Sequence, residues 1–206
     1  DVVKLLEQEY DLLTEDQTSL PGTVSTALEK AQLKVQRLIK RAIHEHKQNT
    51  TYTPMFPFAE GPREYQKIAF ENWKQNKQVG LFAMATGTGK TITSLNCLLE
   101  VYKKTGYYKA IILVPTITLV NQWENECKRF RFNNIIKVYS KRPKWKSDIE
   151  SLHLQERIYG GEDKVSYVVI ATYSSFAKDG AFDLLNSLSS RAMLIADEAH
   201  NMGSGG

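Results

Sequence analysis

Ala85-Thr86-Gly87-Thr88-Gly89-Lys90-Thr91 is a glycine-rich turn set between an apolar run, Val79 to Met84, and a helical stretch, Ile92 to Lys103. The order is strand, phosphate loop, helix. Glycines let the backbone wrap an anion with successive N–H groups pointing inward, and the helix that follows adds its positive N-terminal end. In such a loop Thr86, Gly87, Thr88 and Gly89 form the cradle, Lys90 reaches the β and γ phosphates of a nucleotide, and the Thr91 hydroxyl is offered to Mg²⁺. The general pattern has Gly five residues before Gly89, where this chain carries Met84. That departure points to a narrower class of phosphate loop.

Working outward, strand-like and helix-like segments alternate. The expected strands are Val79 to Met84, Ala110 to Pro115, Ile135 to Tyr139, Ser166 to Thr172 and Ala192 to Asp197. The expected helices are Arg63 to Lys74, Lys90 to Lys103, Ile117 to Arg129, Trp145 to Arg157 and Phe182 to Ser189. Apolar β runs separated by helices imply a parallel sheet covered on both faces. Ligands of such sheets sit at the carboxyl ends of the strands.

Upstream of this alternation, residues 1 to 20 form a short amphipathic stretch that stops at Pro21-Gly22. Thr26 with Glu29 resembles a capping box, and Leu28, Ala31, Val35, Leu38 and Ala42 recur at helical spacing to about His46. The opposite face carries Lys30, Lys34, Arg37, Lys40, Arg41 and Lys47, which suits either a nucleic-acid contact or a solvated face on a docked helix. His44 and His46, two apart on a helix, point away from one another and make poor metal ligands. Asn49 to Pro62 reads as a linker.

With 206 residues there is room for one sizeable domain and an appendage. Lys+Arg 27 against Asp+Glu 23 gives +4, a mild excess that admits nucleic acid without requiring it. Cys97 and Cys127 lie inside expected helices with no second Cys or His at ligand spacing, so they read as reduced packing residues of an intracellular protein. No apolar run reaches the roughly 18 to 20 residues that span a bilayer, and no membrane partner is expected. A start without Met and an end just past an acidic cluster read as a piece of a longer protein.

That acidic cluster is Asp197-Glu198-Ala199-His200, delivered at the end of Ala192-Met193-Leu194-Ile195-Ala196. Two adjacent carboxylates repel, so a cation is expected beside them: Asp197 would hold Mg²⁺ and Glu198 would orient and deprotonate an attacking water. Met84 to Thr91 resembles motif I, and Asp197 to His200 motif II, of DEAH-type superfamily 2 helicases and translocases. Within that resemblance His200 couples the nucleotide site to a second motor domain and to nucleic acid. Arg63-Glu64-Tyr65-Gln66 is similar to the adenine-recognition element of the same superfamily. A glutamine amide, with donor and acceptor together, suits the N6 and N7 edge of adenine. Phe56 or Phe58 would stack on the base.

Val114 to Trp123 is similar to motif Ia, where backbone N–H groups beside Pro115 and Thr116 hold a nucleic-acid phosphate. Leu119, Val120 and Trp123 read as core. Ala171-Thr172-Tyr173-Ser174-Ser175 resembles the Thr-Tyr-x-Ser element of restriction-type motors, with Thr172 and Ser174 in strand contacts or domain coupling. Lys137, Lys141, Arg142, Lys144 and Lys146 with Tyr139 and Trp145 suit a single-strand track or, equally, a solvated loop with Trp145 tucked in.

The resemblance implies a RecA-like α/β domain, a parallel sheet flanked by helices, over residues 59–206, preceded by a helical extension and linker over 1–58. ATP and Mg²⁺ are the implied cofactors, and DNA is favoured over RNA as the polymer. A second RecA-like domain elsewhere in the parent would supply arginines to the transferring phosphate, so this piece alone is expected to be nearly inactive. The alternative is a nucleotide-gated binding or regulatory module. A P-loop kinase or small GTPase is disfavoured by the acid beside Asp197 and by the absence of a guanine-reading Asn-Lys-x-Asp.

Overall fold

The computed structural model describes residues 22–49, 52–84, 87–142, 144–159, 164–178, 188 and 191–199. Among the described residues ten elements follow in order: α1 (Gly22–Asn49), α2 (Glu64–Gln75), α3 (Lys90–Thr105), β1 (Lys109–Val114), α4 (Ile117–Arg129), β2 (Ile135–Val138), α5 (Trp145–Ile158), β3 (Tyr167–Thr172), α6 (Tyr173–Phe176) and β4 (Met193–Ala196). The strands form one parallel sheet in the order β2-β3-β1-β4. Lys109 pairs with Tyr167 and Val114 with Thr172, while Ala110 pairs with Met193 and Leu113 with Ala196.

β1 and β3 occupy the centre because their sequences, KAIILV and YVVIAT, are apolar on both faces. Alternate residues then feed two core layers. Ala110, Ile112, Val114, Val168 and Ile170 pack under α3 and α4 against Leu95, Leu98, Val120 and Cys127. Leu113, Val169 and Ala171 face the other way, against Ile149 and Leu152 of α5. The linker is tied in where the Met55 N–H donates to the Phe130 carbonyl at 2.9 Å.

Two expectations change. Val79 to Met84 forms no strand: it runs without ladder partners, and Val79 and Leu81 are 69% and 82% exposed. A strand is a property of a pair, and no strand forms a ladder with this segment among the described residues. α1 begins at Gly22, a turn before Thr26, so Thr26 and Glu29 lie inside the helix and not at its cap. A Pro-Gly pair halts a helix that arrives from upstream but does not prevent one from starting, because first-turn N–H groups need no helical acceptor. The expected helix Phe182 to Ser189 lies outside the described residues, apart from buried Leu188, as do the stretch at residues 1–20, Thr86 and His200. Among the described residues no helix is long and apolar enough to cross a membrane.

Candidate nucleotide site

The glycine turn at residues 87–89 has no paired strand before it and is clamped by α2. Gly87 and Gly89 take φ of 80° and 90°, the left-handed region that a glycine enters without strain. The Tyr65 hydroxyl donates to the Thr88 carbonyl at 2.7 Å. Gln66, only 4% exposed, accepts from the Arg63 N–H at 2.9 Å, and its amide nitrogen lies 3.5 Å from where a Cβ on Gly89 would stand. On the helix side, the Thr93 N–H and hydroxyl both donate to the Gly89 carbonyl, at 2.9 and 3.0 Å. The α3 N-terminus is thus held open towards the loop with Lys90 and Thr91 in its first turn.

Between α2, the linker and the loop lies a cavity of about 330 Å³ lined by Phe56, Phe58, Arg63, Gln66, Gly87 and Gly89. This is the size class of a small-ligand pocket. Phe56 is held edge-on by Phe130, with centroids 5.4 Å apart, and the Arg129 guanidinium lies 4.9 Å from the Phe58 ring. Both aromatics face the cavity, with aromatic surface on one wall and the glycine cradle on the other.

A second cavity, about 520 Å³, is a trough between residues 80–84 and the β4 strand end at 193–199. Lys90, Asp197 and Glu198 line it together. β1 sets the position of Asp197, since its N–H continues the ladder to the Leu113 carbonyl at 2.9 Å. Its carboxylate accepts from the Trp123 indole at 2.8 Å, and its carbonyl accepts from the Tyr173 hydroxyl at 2.7 Å. Burial, with the charges of Asp197 and Glu198, pushes the Tyr173 hydroxyl above its ordinary value, so it stays a donor. Glu198 sits at φ 52°, strained for a non-glycine residue and common where a side chain is aimed at a site.

No group of three or more His, Cys, Asp or Glu is placed to hold a metal among the described residues. A few protein oxygens completed by phosphate and water are the donor set that Mg²⁺ prefers, and Asp197 and Thr91 carry oxygens of that kind.

Thr116 caps α4, accepting from the Leu119 N–H at 3.3 Å, and is exposed next to Pro115. Thr172 caps α6 but is 4% exposed, and its hydroxyl is engaged with Ser175 at 2.9 Å; Ser174 beside it is exposed. In the basic loop Trp145 is buried and joins the α5 core layer. Lys137 pairs with Glu124 and Arg142 with Asp148. Lys141, Lys144 and Lys146 stay exposed. The Trp145 ring is therefore not offered there as a platform for a base. On α1, Lys30, Lys34, Arg37 and Lys40 are exposed, while Arg41 reaches α5.

Two contacts escaped the sequence reading, the Tyr65 clamp and the Trp123 bond. Trp123 was legible only as core, although a buried indole N–H always needs an acceptor.

A parallel sheet with a glycine phosphate loop facing an acidic strand end defines a P-loop motor domain of RecA-like fold. The chain belongs to the family "Type III restriction enzyme, res subunit", which matches residues 60–205, and is a superfamily 2 helicase-type motor domain. It is 30% identical over 145 residues to the DNA 3'-5' translocase XPB2 of Sulfurisphaera tokodaii, covering 70% of this chain and 26% of that protein. It is 30% identical over 96 residues to transcript termination protein A18 of Yaba-like disease virus, covering 46% of this chain and 19% of that protein. Among solved structures it is similar to a nuclease-deletion mutant of the Type ISP restriction-modification enzyme LlaGI in complex with a DNA substrate mimic. The TM-score there is 0.53 with 28% identity, over 68% of this chain and 15% of that one. The chain spans about a quarter or less of each of these proteins. Family membership implies nucleotide use.

Proposed function

We propose that this chain is the ATP-binding half of a motor that couples ATP hydrolysis to movement along nucleic acid, with DNA favoured over RNA. The observation that carries the reading is the shared trough of Lys90, Asp197 and Glu198, opening beside a glycine cradle. Arg63 and Gln66 would read adenine, with Phe56 or Phe58 against the base. Residues 86–89 would wrap the phosphates, and Lys90 would bind the terminal ones.

Thr91 and Asp197 would hold Mg²⁺. When bound, this ion screens phosphate charge and makes the terminal phosphorus more electrophilic. Glu198 orients water in line and takes its proton at a carboxylate oxygen. His200 would pass the nucleotide state to a second RecA-like domain. Pro115, Thr116 and Ser174 would meet the polymer, through backbone and hydroxyl contacts that carry no base information, while Thr172, buried and bonded to Ser175, would support the turn that carries Ser174. Residues 59–206 form the motor unit in this reading, and residues 1–58 are an extension.

The DNA preference draws on the DNA translocase relative and on the complex with a DNA mimic. A second domain would contribute transition-state arginines, worth on the order of 10³ to 10⁵ in rate, so the isolated chain would turn over ATP barely. The test is ATPase activity of the full-length protein with single- and double-stranded DNA and RNA, beside Lys90→Ala and Glu198→Gln. Strong stimulation by one polymer, abolished by both substitutions, is the expected result. Nucleotide binding without any Glu198-dependent, polymer-stimulated turnover would instead make the protein a nucleotide-gated binding module.

A further inference from the structure

The carboxylate at the end of β4 is gripped by two side chains to which the reaction above gives no part. Trp123 lies in the second turn of α4, buried at 3% exposure within the core layer under α3 and α4. Its Nε1–H donates to Asp197 Oδ2 at 2.8 Å. Tyr173, first residue of α6, donates its hydroxyl to the Asp197 backbone carbonyl at 2.7 Å. The Asp197 N–H is already spent on Leu113 at 2.9 Å. Main chain and side chain of one residue are therefore fixed by three different elements.

Chemistry makes the grip directional. An indole is a donor only and cannot titrate, so it fixes which carboxylate oxygen faces the core. A carboxylate has about four acceptor sites over two oxygens. With Oδ2 turned to the indole, Oδ1 remains for a cation or its water, on the side where Asp197 joins Lys90 and Glu198 in lining the trough. Outer partners of this kind orient metal-holding groups and cost about 10- to 100-fold in metal affinity when removed.

We infer that Trp123 and Tyr173 are positioning residues that hold the Asp197 carboxylate ready for a divalent cation, Trp123 through the side chain and Tyr173 through the main chain. This rests on the nucleotide reading proposed above.

The test is equilibrium binding of a fluorescent ADP analogue to the full-length protein, titrated with Mg²⁺ and repeated in EDTA, with a melting temperature for each variant. The variants are Trp123→Phe, which removes the N–H and keeps a ring, Tyr173→Phe, and Val120→Ala. Val120 is fully buried in the same layer and makes no hydrogen bond to Asp197, so it reports lost packing alone. Trp123→Phe is expected to raise the Mg²⁺ concentration for half-maximal binding about tenfold relative to its own affinity in EDTA, and Tyr173→Phe to shift it the same way. Val120→Ala lowers the melting temperature and leaves the Mg²⁺ requirement in place. An unshifted requirement in Trp123→Phe, or an equal shift in Val120→Ala, overturns the inference while the nucleotide reading stands. Absence of Mg²⁺-dependent nucleotide binding in the unsubstituted protein overturns both.

Discussion

The ammonium of Lys109 lies 2.7 Å from a carboxylate oxygen of Glu156, with the lysine side chain wholly inaccessible to solvent. Lys109 opens β1 and Glu156 sits near the end of α5, so the pair ties the central strand to its covering helix. The Tyr167 ring adds a cationic contact at 5.5 Å. Removing the carboxylate alone strands a buried charge. Glu156→Ala is therefore expected to cost about 3–5 kcal/mol, while the double replacement Lys109→Met with Glu156→Leu is close to neutral. Urea unfolding of the two variants beside the unsubstituted protein measures both numbers.

Asp148 is the rivet between α1 and the motor. Its two oxygens accept from Arg41 of α1 at 2.6 Å and from Arg142 at 3.1 Å, and Glu45 of α1 accepts from Ser151 at 2.8 Å. Burial by itself would weaken the Arg41 charge, but its bonds to Glu45 and Asp148 outweigh that and raise its pKa. Asp148→Ala leaves Arg142 without its carboxylate and Arg41 with Glu45 alone, and a loss of about 1–3 kcal/mol is expected. Limited proteolysis should then cut within α1 faster than in the unsubstituted protein.

Gly89 and Gly106 have similar left-handed backbones, φ 90° and 82°, at opposite ends of α3. A Cβ on Gly89 would meet Gln66 at an ordinary 3.5 Å, and one on Gly106 would meet nothing within 4 Å. Alanine at either position should thus cost a similar 1–2 kcal/mol or so, from backbone strain alone. Nucleotide binding separates them: Gly89→Ala should weaken it strongly and Gly106→Ala should not. Paired unfolding curves and nucleotide titrations check this.

Glu124 gives the stability a sign in acid. Burial by itself would raise its carboxyl, yet hydrogen bonds and charge from Lys128 and Lys137 outweigh burial and lower it below the ordinary value. The unfolded chain then protonates first as pH falls. The stabilisation is present above the ordinary carboxylate value of about 4.3 and disappears as pH drops through the lower folded value. Glu124→Gln should lower the denaturant midpoint at pH 7 and change it much less near pH 3.

Burial and Glu100 push the Cys97 thiol up to about 12; burial and the charges of Glu126 and Glu124 push Cys127 up as well. Neither forms a thiolate near neutrality, and both are buried. A thiol-reactive dye at pH 8 should label neither in the folded protein and both after denaturation.

Several features were readable in the chain because they are local. Apolar runs marked β1 and β3 as strands of a parallel sheet covered on both faces, and glycine spacing marked the turn at Gly87 and Gly89, since φ is set within a few residues. The failure at Val79 to Met84 has the converse cause. Its apolar residues specify extended backbone, but a strand exists only beside a partner, and partnership is not written in the segment. The basic loop was ambiguous for the same reason: whether Trp145 faces solvent depends on α5 covering β2 and β3.

By itself the sequence determined the class of fold, the glycine turn and the acidic strand end, because short-range backbone preference and side-chain chemistry decide them. Tertiary structure alone decided which groups meet. It set Lys90 across a trough from Asp197, turned a core tryptophan into the donor that orients a carboxylate, and fastened α1 through Asp148. Such contacts join residues 74 to 107 positions apart, where only the packing of helices on the sheet fixes distance.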